Sequence, residues 1–262
     1  MTYAQITLVK ADGLATLTLS QPEKLNAVSR KMIAEIKSAW EDIAADGSVR
    51  AVLLTGAGRG FCAGADLADP DRDNGPMADS GSALEKYFNP VIRTMRTLPK
   101  PIVAAVNGVA AGVGMSFALA ADIAVAGKSA SFLQAFARIG LLPDGGSTWF
   151  LPRLVGEQRA RALTMLAPQI KAEQAKEWGL IWDVVDDAVL MQTATDIARK
   201  LAEGPTLALA RIKEALNQST GNDLSAQLDV ERDAQRQLGK SDDFKEGVAA
   251  FLAKRAANFT GH

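Results

Sequence analysis

Residues 101–114, with the sequence PIVAAVNGVAAGVG, show the order of elements that indicates the class of fold. The apolar run at residues 101–106 has the length and composition of a buried β-strand, and it runs into a loop of glycine and alanine. A helix is predicted next, at residues 115–121. The strand at residues 50–55 and its loop at residues 58–67, GRGFCAGADL, show the same order. Short strands that alternate with helices are typical of a layered α/β core.

The neighbouring segments support this class of fold. Two alternating runs on either side of Asp12-Gly13 predict a β-hairpin within residues 6–19. The spacing of apolar residues predicts a helix at residues 29–45, with Ser29 as its N-cap. Residues 69–81 are polar and rich in Asp, Gly and Pro, so they are predicted to form a loop. Further helices are predicted at residues 84–98, 157–166, 172–178, 190–203, 206–218, 224–238 and 242–254, and short strands at residues 123–125 and 131–133.

Composition places the chain among globular proteins and argues against several functions. Of its 262 residues 48% are hydrophobic and the net charge is −1, so no general affinity for nucleic acid or for an acidic membrane surface is expected. No apolar run has the length of a membrane span, and the N-terminus lacks a secretion-signal pattern. The one cysteine, Cys62, allows no intrachain disulfide, and these features together predict a cytoplasmic protein. The one histidine, His262, is the last residue, which argues against a Ser-His-Asp triad or a histidine metal site.

The composition changes near Glu203-Gly204-Pro205. Strands alternate with helices in the first half of the chain, and only helical patterns are predicted from residue 157 onward. We therefore predict a core at residues 1–200 and a helical region at residues 201–262 that has too few apolar positions for a core of its own. This region is expected to pack on the core, on a neighbouring subunit, or on both. An apolar stripe suited to subunit contacts is formed by Phe244, Val248, Phe251 and Leu252.

The two loops rich in glycine and alanine have the composition of an oxyanion-binding site. Small residues leave backbone N–H groups accessible, and the start of a helix adds partial positive charge. Two such N–H groups that converge on one carbonyl oxygen form an oxyanion hole. Either loop alone is more often only a turn after a strand. Their combination with an aspartate-containing segment at residues 139–153 favours the functional interpretation.

That segment, IGLLPDGGSTWFLPR, supplies a candidate acid or base. Its apolar run ends at Pro143, and Asp144 and two glycines follow before a helix that opens at Ser147 or Thr148 with a side-chain N-cap. A carboxylate among apolar side chains such as Leu142 has a raised pKa, as proton transfer near neutral pH requires. The alternative is an aspartate that only stabilises the turn.

Together these segments resemble the crotonase (enoyl-CoA hydratase/isomerase) superfamily over essentially the whole chain. No single motif is decisive, but their order and spacing are specific. The resemblance implies an α/β fold, a ClpP-like spiral of strand-strand-helix units with a C-terminal helical region, assembled as a trimer or a dimer of trimers that binds acyl-CoA thioesters. It assigns the oxyanion hole to the N–H groups of Ala65 and Val113, the latter where many members have glycine. The matching motifs are QPEKLNA at residues 21–27, GFCAGADL at residues 60–67, KPIVAAVNG at residues 100–108, AADI at residues 120–123 and EGVAAFLAKR at residues 246–255.

Two departures from the superfamily indicate an isomerase. Its hydratases use two glutamates, and this chain has Ser116 and Phe136 at the corresponding positions. Addition of water needs a base for the water and a proton for the neighbouring carbon, whereas one carboxylate suffices to shift a proton. Asp144 matches a known catalytic position of the superfamily. Within the superfamily, this chain most resembles the isomerases of aerobic phenylacetate degradation. The shared motifs are PDGG at residues 143–146, YFNP at residues 87–90, EWGLIWDVVDD at residues 177–187 and NFTG at residues 258–261.

The resemblance to these isomerases implies a function and a set of site residues. The function is conversion of ring-1,2-epoxyphenylacetyl-CoA to oxepin-CoA together with a shift of 3-enoyl-CoA to 2-enoyl-CoA, with Asp144 as acid and base. No metal and no cofactor are expected, because coenzyme A is part of the substrate, and other enzymes of the pathway are candidate partners. The expected coenzyme A contacts are Lys24, Leu25, Asn26, Ala63, Asp66 and Leu67. The expected acyl pocket consists of Tyr87, Ser116, Phe136, Leu141 and Trp149.

Other members of the superfamily remain alternatives. One is another single-aspartate enzyme, either a 3-enoyl-CoA isomerase of fatty-acid oxidation or a dehalogenase-like enzyme, although the latter uses an internal histidine that this chain lacks. Another is a non-catalytic member that binds nucleic acid or a protein. The mild net charge and the two loops rich in glycine and alanine argue against it. Cys62 is expected to be a small buried residue. Trp178 and Trp182 are expected to contact the core or another subunit.

Overall fold

The computed structural model describes residues 2–71 and 79–262. The strands are β1 (Ile6–Ala11), β2 (Leu14–Leu19), β3 (Ala51–Gly56), β4 (Gly60–Cys62), β5 (Ile102–Val106), β6 (Val109–Ala111), β7 (Ile123–Gly127), β8 (Ser131–Leu133), β9 (Ile170–Lys171) and β10 (Asp183–Val185). The helices are α1 (Arg30–Ala45), α2 (Ser80–Ala83), α3 (Asn89–Thr97), α4 (Val113–Ala120), α5 (Ser147–Val155), α6 (Glu157–Met165), α7 (Ala172–Glu177), α8 (Leu190–Ala202), α9 (Thr206–Ser219), α10 (Leu224–Leu238) and α11 (Asp242–Leu252). A π-helical turn, Leu84–Phe88, joins α2 to α3.

The larger sheet has the strand order β1-β2-β3-β5-β7-β10. β1 and β2 form the predicted antiparallel hairpin, with Asp12 and Gly13 at positive φ in its turn. β3, β5 and β7 follow in parallel, and every residue of β3 and β5 is buried. Parallel strands are usually covered on both faces, which explains why these two sequences are continuously apolar.

The two faces of β3 belong to different hydrophobic clusters. Val52 and Leu54 pack into the main core together with α1, whereas Ala51 and Leu53 pack into a second cluster with α8. Side chains of successive strand residues point to opposite faces, so both helices bury their apolar stripe on one sheet. Ser29 caps α1 as predicted, since its hydroxyl accepts a hydrogen bond from Met32 N at 3.0 Å.

A smaller sheet, with the order β4-β6-β8-β9, corrects the sequence-based expectation. β4 and β6 were expected to be parts of loops, and they are instead three-residue strands that pair in parallel. Each of β3, β5 and β7 is followed by a strand of the smaller sheet and then by a helical segment. This alternation is the spiral of strand-strand-helix units that the resemblance implies.

Two element boundaries also differ from expectation. α4 begins at Val113 rather than Met115, so the helix starts directly after the small-residue loop. The loop expected at residues 69–81 lies partly outside the described residues, and its end is wrong because α2 begins at Ser80. Asp79 explains this earlier start, because its carboxylate accepts a hydrogen bond from Ser82 N and caps α2.

Within the C-terminal region, α9 and the C-terminal tail are bonded to the core of their own chain, whereas α10 packs on α9. Lys213 of α9 is buried, and its Nζ donates to Asp122 Oδ2 at 2.9 Å and to Met95 O at 2.8 Å. Burial lowers the pKa of Lys213, and Asp122 opposes this shift. Arg50, before β3, donates to Phe259 O at 2.9 Å and so ties the tail to the sheet. None of the described helices is long and apolar enough to cross a membrane.

The predicted apolar stripe of the C-terminal region remains at the surface of the chain. Phe251 is 83% exposed, and its neighbours in the stripe, Phe244, Val248 and Leu252, are exposed as well. Of the two tryptophans predicted to contact the core or a subunit, Trp178 packs against the main core and Trp182 is exposed.

Candidate active site

A cavity of about 470 Å³ opens between the small-residue loops and the segment that contains Asp144. Distant parts of the sequence meet in its wall: the loops after β4 and β6, the π-helical turn with α2, and the chain that leads into α5. The lining includes Val28, Arg30, Ala63, Gly64, Ala65, Asp66, Leu67, Leu84, Phe88, Gly112, Val113, Phe136, Ile139, Leu141, Leu142 and Asp144.

Parallel pairing of β4 with β6 places the two loops side by side. Each strand is followed by a glycine with positive φ, 105° at Gly64 and 51° at Gly112. A Cβ atom added to Gly64 would lie 3.1 Å from the carbonyl oxygen of Ala111, tighter than ordinary packing. Glycine therefore serves both the conformation and the close approach of the two backbones. Ala65 and Val113 follow these glycines directly.

The backbone N–H groups of Ala65 and Val113 have no acceptor among the described residues. Val113 is the first residue of α4, where an N–H group has no partner within the helix. Ala65 is held between fixed neighbours, since Val28 N donates to Gly64 O at 2.7 Å and Asp66 N donates to Val28 O at 3.0 Å. Two free donors at the wall of one cavity can bind a single carbonyl oxygen, and the dipole of α4 favours negative charge there.

Asp144 opens a tight turn formed by Asp144, Gly145, Gly146 and Ser147. Ser147 N donates to Asp144 O at 3.0 Å, and φ is 57° at Gly145 and 81° at Gly146. Positive φ at both central positions defines a type I′ turn, for which glycine is best suited. The expected side-chain N-cap is wrong: the N-cap residue of α5 is Gly146, and Ser147 is its buried first residue.

The carboxylate of Asp144 has no hydrogen-bond partner for its buried Oδ1 within residues 2–71 and 79–262. Burial raises the pKa of Asp144 from 3.8 to about 6, because removal from water disfavours the charged form. The hydrogen bond that closes the turn uses the backbone carbonyl of Asp144. A role limited to side-chain capping of the turn is therefore not supported, and the raised pKa expected from the sequence is confirmed.

Other carboxylates at the cavity wall are engaged in bonds. Asp66 lies 2.8 Å from Lys24 Nζ, and this hydrogen bond lowers the pKa of Asp66. Asp69 accepts a hydrogen bond from Arg30 N at 2.6 Å. Asp79 caps α2. Asp144 is half-buried and differs from all three because its buried Oδ1 is unpaired.

Ser116 lies behind the cavity wall and not in it. It is fully buried, and its Oγ lies 3.1 Å from Asp144 O and 2.8 Å from Ser147 Oγ. Gln134 Nε2 donates to Ser147 Oγ at 2.8 Å from the other side. The expected contact of Ser116 with the acyl group is not supported, because other groups of the protein surround its hydroxyl.

Phe136 and Leu141 line the cavity as expected, and Tyr87 and Trp149 do not. The ring of Tyr87 packs against the guanidinium of Arg30, 4.5 Å away. Trp149 is partly exposed, and its ring packs against Arg153 at 4.2 Å. Tyr87 therefore packs on Arg30, which itself lines the cavity, and both aromatic rings stack with cations instead of lining the cavity.

Several lining residues were not predicted from the sequence, among them two apolar residues of the π-helical turn. Leu84 and Phe88 lie at the two ends of the π-helical turn, and both contribute apolar surface to the cavity. π-helical turns widen a helix locally and often occur at functional sites. The sequence predicts a helix here but contains no signal for its π-helical phase, so it does not indicate which side chains face inward.

The predicted coenzyme A contacts divide into two groups. Ala63, Asp66 and Leu67 line the mouth of the cavity, and Leu67 is 54% exposed. Lys24, Leu25 and Asn26 do not line it. Lys24 is exposed and paired with Asp66, so it stays within reach of a ligand at the mouth.

The side-chain amide of Asn26 connects this segment to β4. Asn26 is fully buried, its Nδ2 donates to Gly60 O at 2.8 Å, and its Oδ1 accepts from Gln21 N at 2.8 Å. Its side chain is therefore not free for coenzyme A, and the expected contact is not supported. Leu25 is half-buried, and Ala63 N donates to its carbonyl oxygen at 2.9 Å. This segment supports the loop that carries Ala65.

Two other kinds of chemistry find no support in the described residues. No three of their His, Cys, Asp and Glu side chains come together in a way that could hold a metal ion. Cys62 is fully buried, and burial raises the pKa of its thiol to about 12. A nucleophilic thiolate is therefore not formed near neutral pH.

Comparison with known proteins agrees with this geometry. The sequence profile of the enoyl-CoA hydratase/isomerase family matches residues 10–262. The 1,2-epoxyphenylacetyl-CoA isomerase of Escherichia coli is 51% identical over 95% of each chain, and a protein of Rhodobacter capsulatus named probable enoyl-CoA hydratase is 44% identical over 100% of each chain. The crystal structure of an enoyl-CoA hydratase from Bacillus anthracis matches with a TM-score of 0.92 at 31% identity, over 99% of this chain and 100% of that one. The chain belongs to the enoyl-CoA hydratase/isomerase family, the crotonase superfamily.

Proposed function

We propose that this chain is an acyl-CoA isomerase of aerobic phenylacetate degradation. It converts ring-1,2-epoxyphenylacetyl-CoA to oxepin-CoA and shifts 3-enoyl-CoA to 2-enoyl-CoA. The observation that carries the proposal is the carboxylate of Asp144, with its buried and unpaired Oδ1, in one cavity with the free N–H groups of Ala65 and Val113. The 51% identity to an isomerase named for the ring epoxide supports this choice of substrate.

The enoyl shift needs one group that removes a proton and returns it. The N–H groups of Ala65 and Val113 bind the thioester oxygen and stabilise the negative charge that develops on it. Ionised Asp144 removes a proton from C2 of 3-enoyl-CoA, and the electron pair delocalises over the thioester oxygen and C4. Asp144 returns the proton at C4, so the double bond moves to C2–C3 and no atom is gained or lost. A pKa of about 6 allows the carboxyl group to act as base and acid near neutral pH.

The ring epoxide has the same acidic carbon next to its thioester. The bond shared by the epoxide and the six-membered ring opens to give the seven-membered oxepin, and Asp144 moves a proton from the acidic carbon to the ring. Reactant and product are isomers, so we propose no cofactor beyond the coenzyme A of the substrate. Leu84, Phe88 and Phe136 offer the apolar and aromatic wall that an unsaturated ring favours.

Hydration is the main alternative, because several relatives carry the name hydratase. It needs a second polar group that positions a water molecule. Ser116 does not line the cavity, and Phe136, which does, is apolar. Isomerisation of linear acyl chains is a second candidate, favoured by a Streptococcus mutans relative named trans-2-decenoyl-[acyl-carrier-protein] isomerase at 32% identity.

A parallel assay of three substrates tests the proposal. Purified protein is incubated with the ring-epoxide thioester, a linear 3-enoyl-CoA and a linear 2-enoyl-CoA in separate reactions. We expect turnover of the first two and little hydration of the third. Turnover of the linear 3-enoyl-CoA alone would favour the second candidate. Hydration as the fastest reaction would refute the isomerase assignment.

We further propose that the enzyme is a homo-oligomer of three or six subunits. The exposed stripe that contains Phe244, Val248, Phe251 and Leu252 supports this proposal, because contiguous apolar surface of this kind is usually covered by a partner. Other enzymes of the same pathway are candidates for additional contacts.

A further inference from the structure

Ser116 takes no part in the proton transfer, yet its hydroxyl connects the two halves of the site. Ser116 is on α4, one turn after Val113, which donates the second oxyanion N–H group. Its Oγ lies 3.1 Å from the carbonyl oxygen of Asp144, the residue that carries the base. A single side chain thus joins the helix of the oxyanion hole to the turn of the acid/base.

The hydroxyl groups in this region form a chain with one consistent direction. Gln134 Nε2 donates to Ser147 Oγ at 2.8 Å, so the hydroxyl proton of Ser147 is free to point to Ser116 Oγ, also at 2.8 Å. Ser116 then donates to Asp144 O at 3.1 Å, the nearer of its two carbonyl acceptors, since Gly112 O lies at 3.3 Å. Each hydroxyl is at once donor and acceptor, and such chains hold their members in one geometry.

Close packing reinforces this chain. A Cβ atom added to Gly145 would lie 2.7 Å from Ser116 Cβ, so the turn backbone rests directly on Ser116. Gln134 is fully buried and leaves its Oε1 without a partner in the described part of the chain. An unpaired buried oxygen is destabilising, so a gain in fold stability does not explain this glutamine. The hydrogen bond from Gln134 Nε2 to Ser147 Oγ offers an explanation for a buried glutamine at this position.

We propose that Ser116, with Ser147 and Gln134 behind it, is a positioning residue that fixes the Asp144 turn relative to the oxyanion donor Val113. The inference rests on the proposed function, because it assigns the base and the oxyanion hole their roles. Proton transfer depends steeply on geometry, and a displacement of about 1 Å costs up to about 100-fold in rate. Binding of the substrate depends on other parts of the cavity, so kcat is affected and KM is not.

The test uses Ser116→Ala, Gln134→Leu and a matched control, Thr55→Val. Thr55 is also a buried hydroxyl that donates to a backbone carbonyl, Ala105 O at 2.9 Å, but it does not line the cavity. For Ser116→Ala we expect a fall in kcat of roughly 10-fold to 50-fold with KM changed less than about twofold. Gln134→Leu should lower kcat by a smaller factor without lowering thermal stability, because it removes the unpaired oxygen. Thr55→Val should lower stability and leave kcat unchanged.

A second measurement does not require turnover. Titration of Asp144 by NMR of ¹³C-labelled aspartate, assigned with Asp144→Asn, should show its pKa fall from about 6 toward its ordinary value in Ser116→Ala, because a loosened turn exposes the carboxylate to water. Wild-type kcat and an unchanged Asp144 pKa in Ser116→Ala would overturn the inference, as would an equal loss of kcat in Thr55→Val. If wild-type protein turns over none of the substrates, the proposed function fails, and the titration alone decides whether Ser116 positions Asp144.

Discussion

Replacement of Asp144 by asparagine is expected to abolish isomerisation while the fold and the binding of acyl-CoA persist. The amide has nearly the same size and polarity, and the backbone bond from Ser147 N to Asp144 O does not involve the side chain. An amide cannot accept and return a proton. Loss of the proton-transfer contribution lowers kcat by a factor of about 10² to 10⁴, and by more if no other group takes over the role.

The same substitution has a consequence for stability that can be worked out from the pKa. The pKa of Asp144 is about 6 in the folded protein and 3.8 without burial. Its stabilising contribution is therefore present in full at low pH, where the group is protonated, and is lost as the pH rises through about 6. Ionisation at neutral pH costs the folded state at most roughly 3 kcal/mol. Asp144→Asn should then melt at the same or a higher temperature than wild type at pH 7, and this gain should vanish below about pH 4.

Two measurements on one preparation distinguish an acid/base role of Asp144 from a purely structural role in its turn. They are the turnover of a 3-enoyl-CoA and thermal unfolding. An aspartate that only stabilised its turn would give a variant with normal turnover and a lower melting temperature. Asp12→Asn is a matched control, because Asp12 also occupies a turn but is exposed and does not line the cavity. The control should match wild type in both measurements. Near-wild-type kcat in Asp144→Asn would refute the acid/base assignment.

Three further outcomes are expected. The kcat/KM of the free enzyme should rise with pH around a midpoint of about 6, because the ionised form of Asp144 is the proposed base. A flat profile between about pH 5 and about pH 8 would contradict this. Gly145→Ala should destabilise the protein by about 1–3 kcal/mol and lower kcat, because φ is 57° there and the new Cβ would meet Ser116 at 2.7 Å; chemical denaturation and the enoyl assay check it. Phe251→Asp should weaken subunit assembly, since this side chain is 83% exposed within one chain; light scattering that shows a wild-type monomer would remove the premise.

The sequence predicted those elements whose periodicity extends over several turns or strand residues. The stripe of α1 and the continuous apolar runs of β3 and β5 were recognised because burial repeats at a fixed spacing. β4 and β6 were missed because each is only three residues long and consists of residues that are also common in turns. These two strands align the loops that carry Ala65 and Val113, so the fold class was predictable while the geometry that unites the site was not.

The site shows the same division. The raised pKa of Asp144 followed from its apolar neighbours in sequence, and the structure agrees. The resemblance placed Tyr87 and Trp149 in the acyl pocket, but the direction of a side chain depends on helix phase and on the cations that stack on its ring. Ser147 was expected to cap a helix. Because of the type I′ turn, Gly146 is the N-cap residue instead, and the hydroxyl of Ser147 bonds to Ser116. Such partners lie far apart in sequence, so local patterns do not reveal them.

The burial of Cys62 makes this thiol a natural reporter of motion in the loop that carries Ala65. Cys62 ends β4, and a Cβ atom on Gly114 of α4 would meet its side chain within 2.7 Å, so the strand and the helix are in direct contact. Alkylating reagents react with the thiolate, which a thiol with a pKa of about 12 does not form in the closed state. Labelling of the native enzyme is therefore limited by separation of β4 from α4. The labelling rate with and without a bound acyl-CoA then measures how far ligand binding suppresses opening of the proposed oxyanion hole.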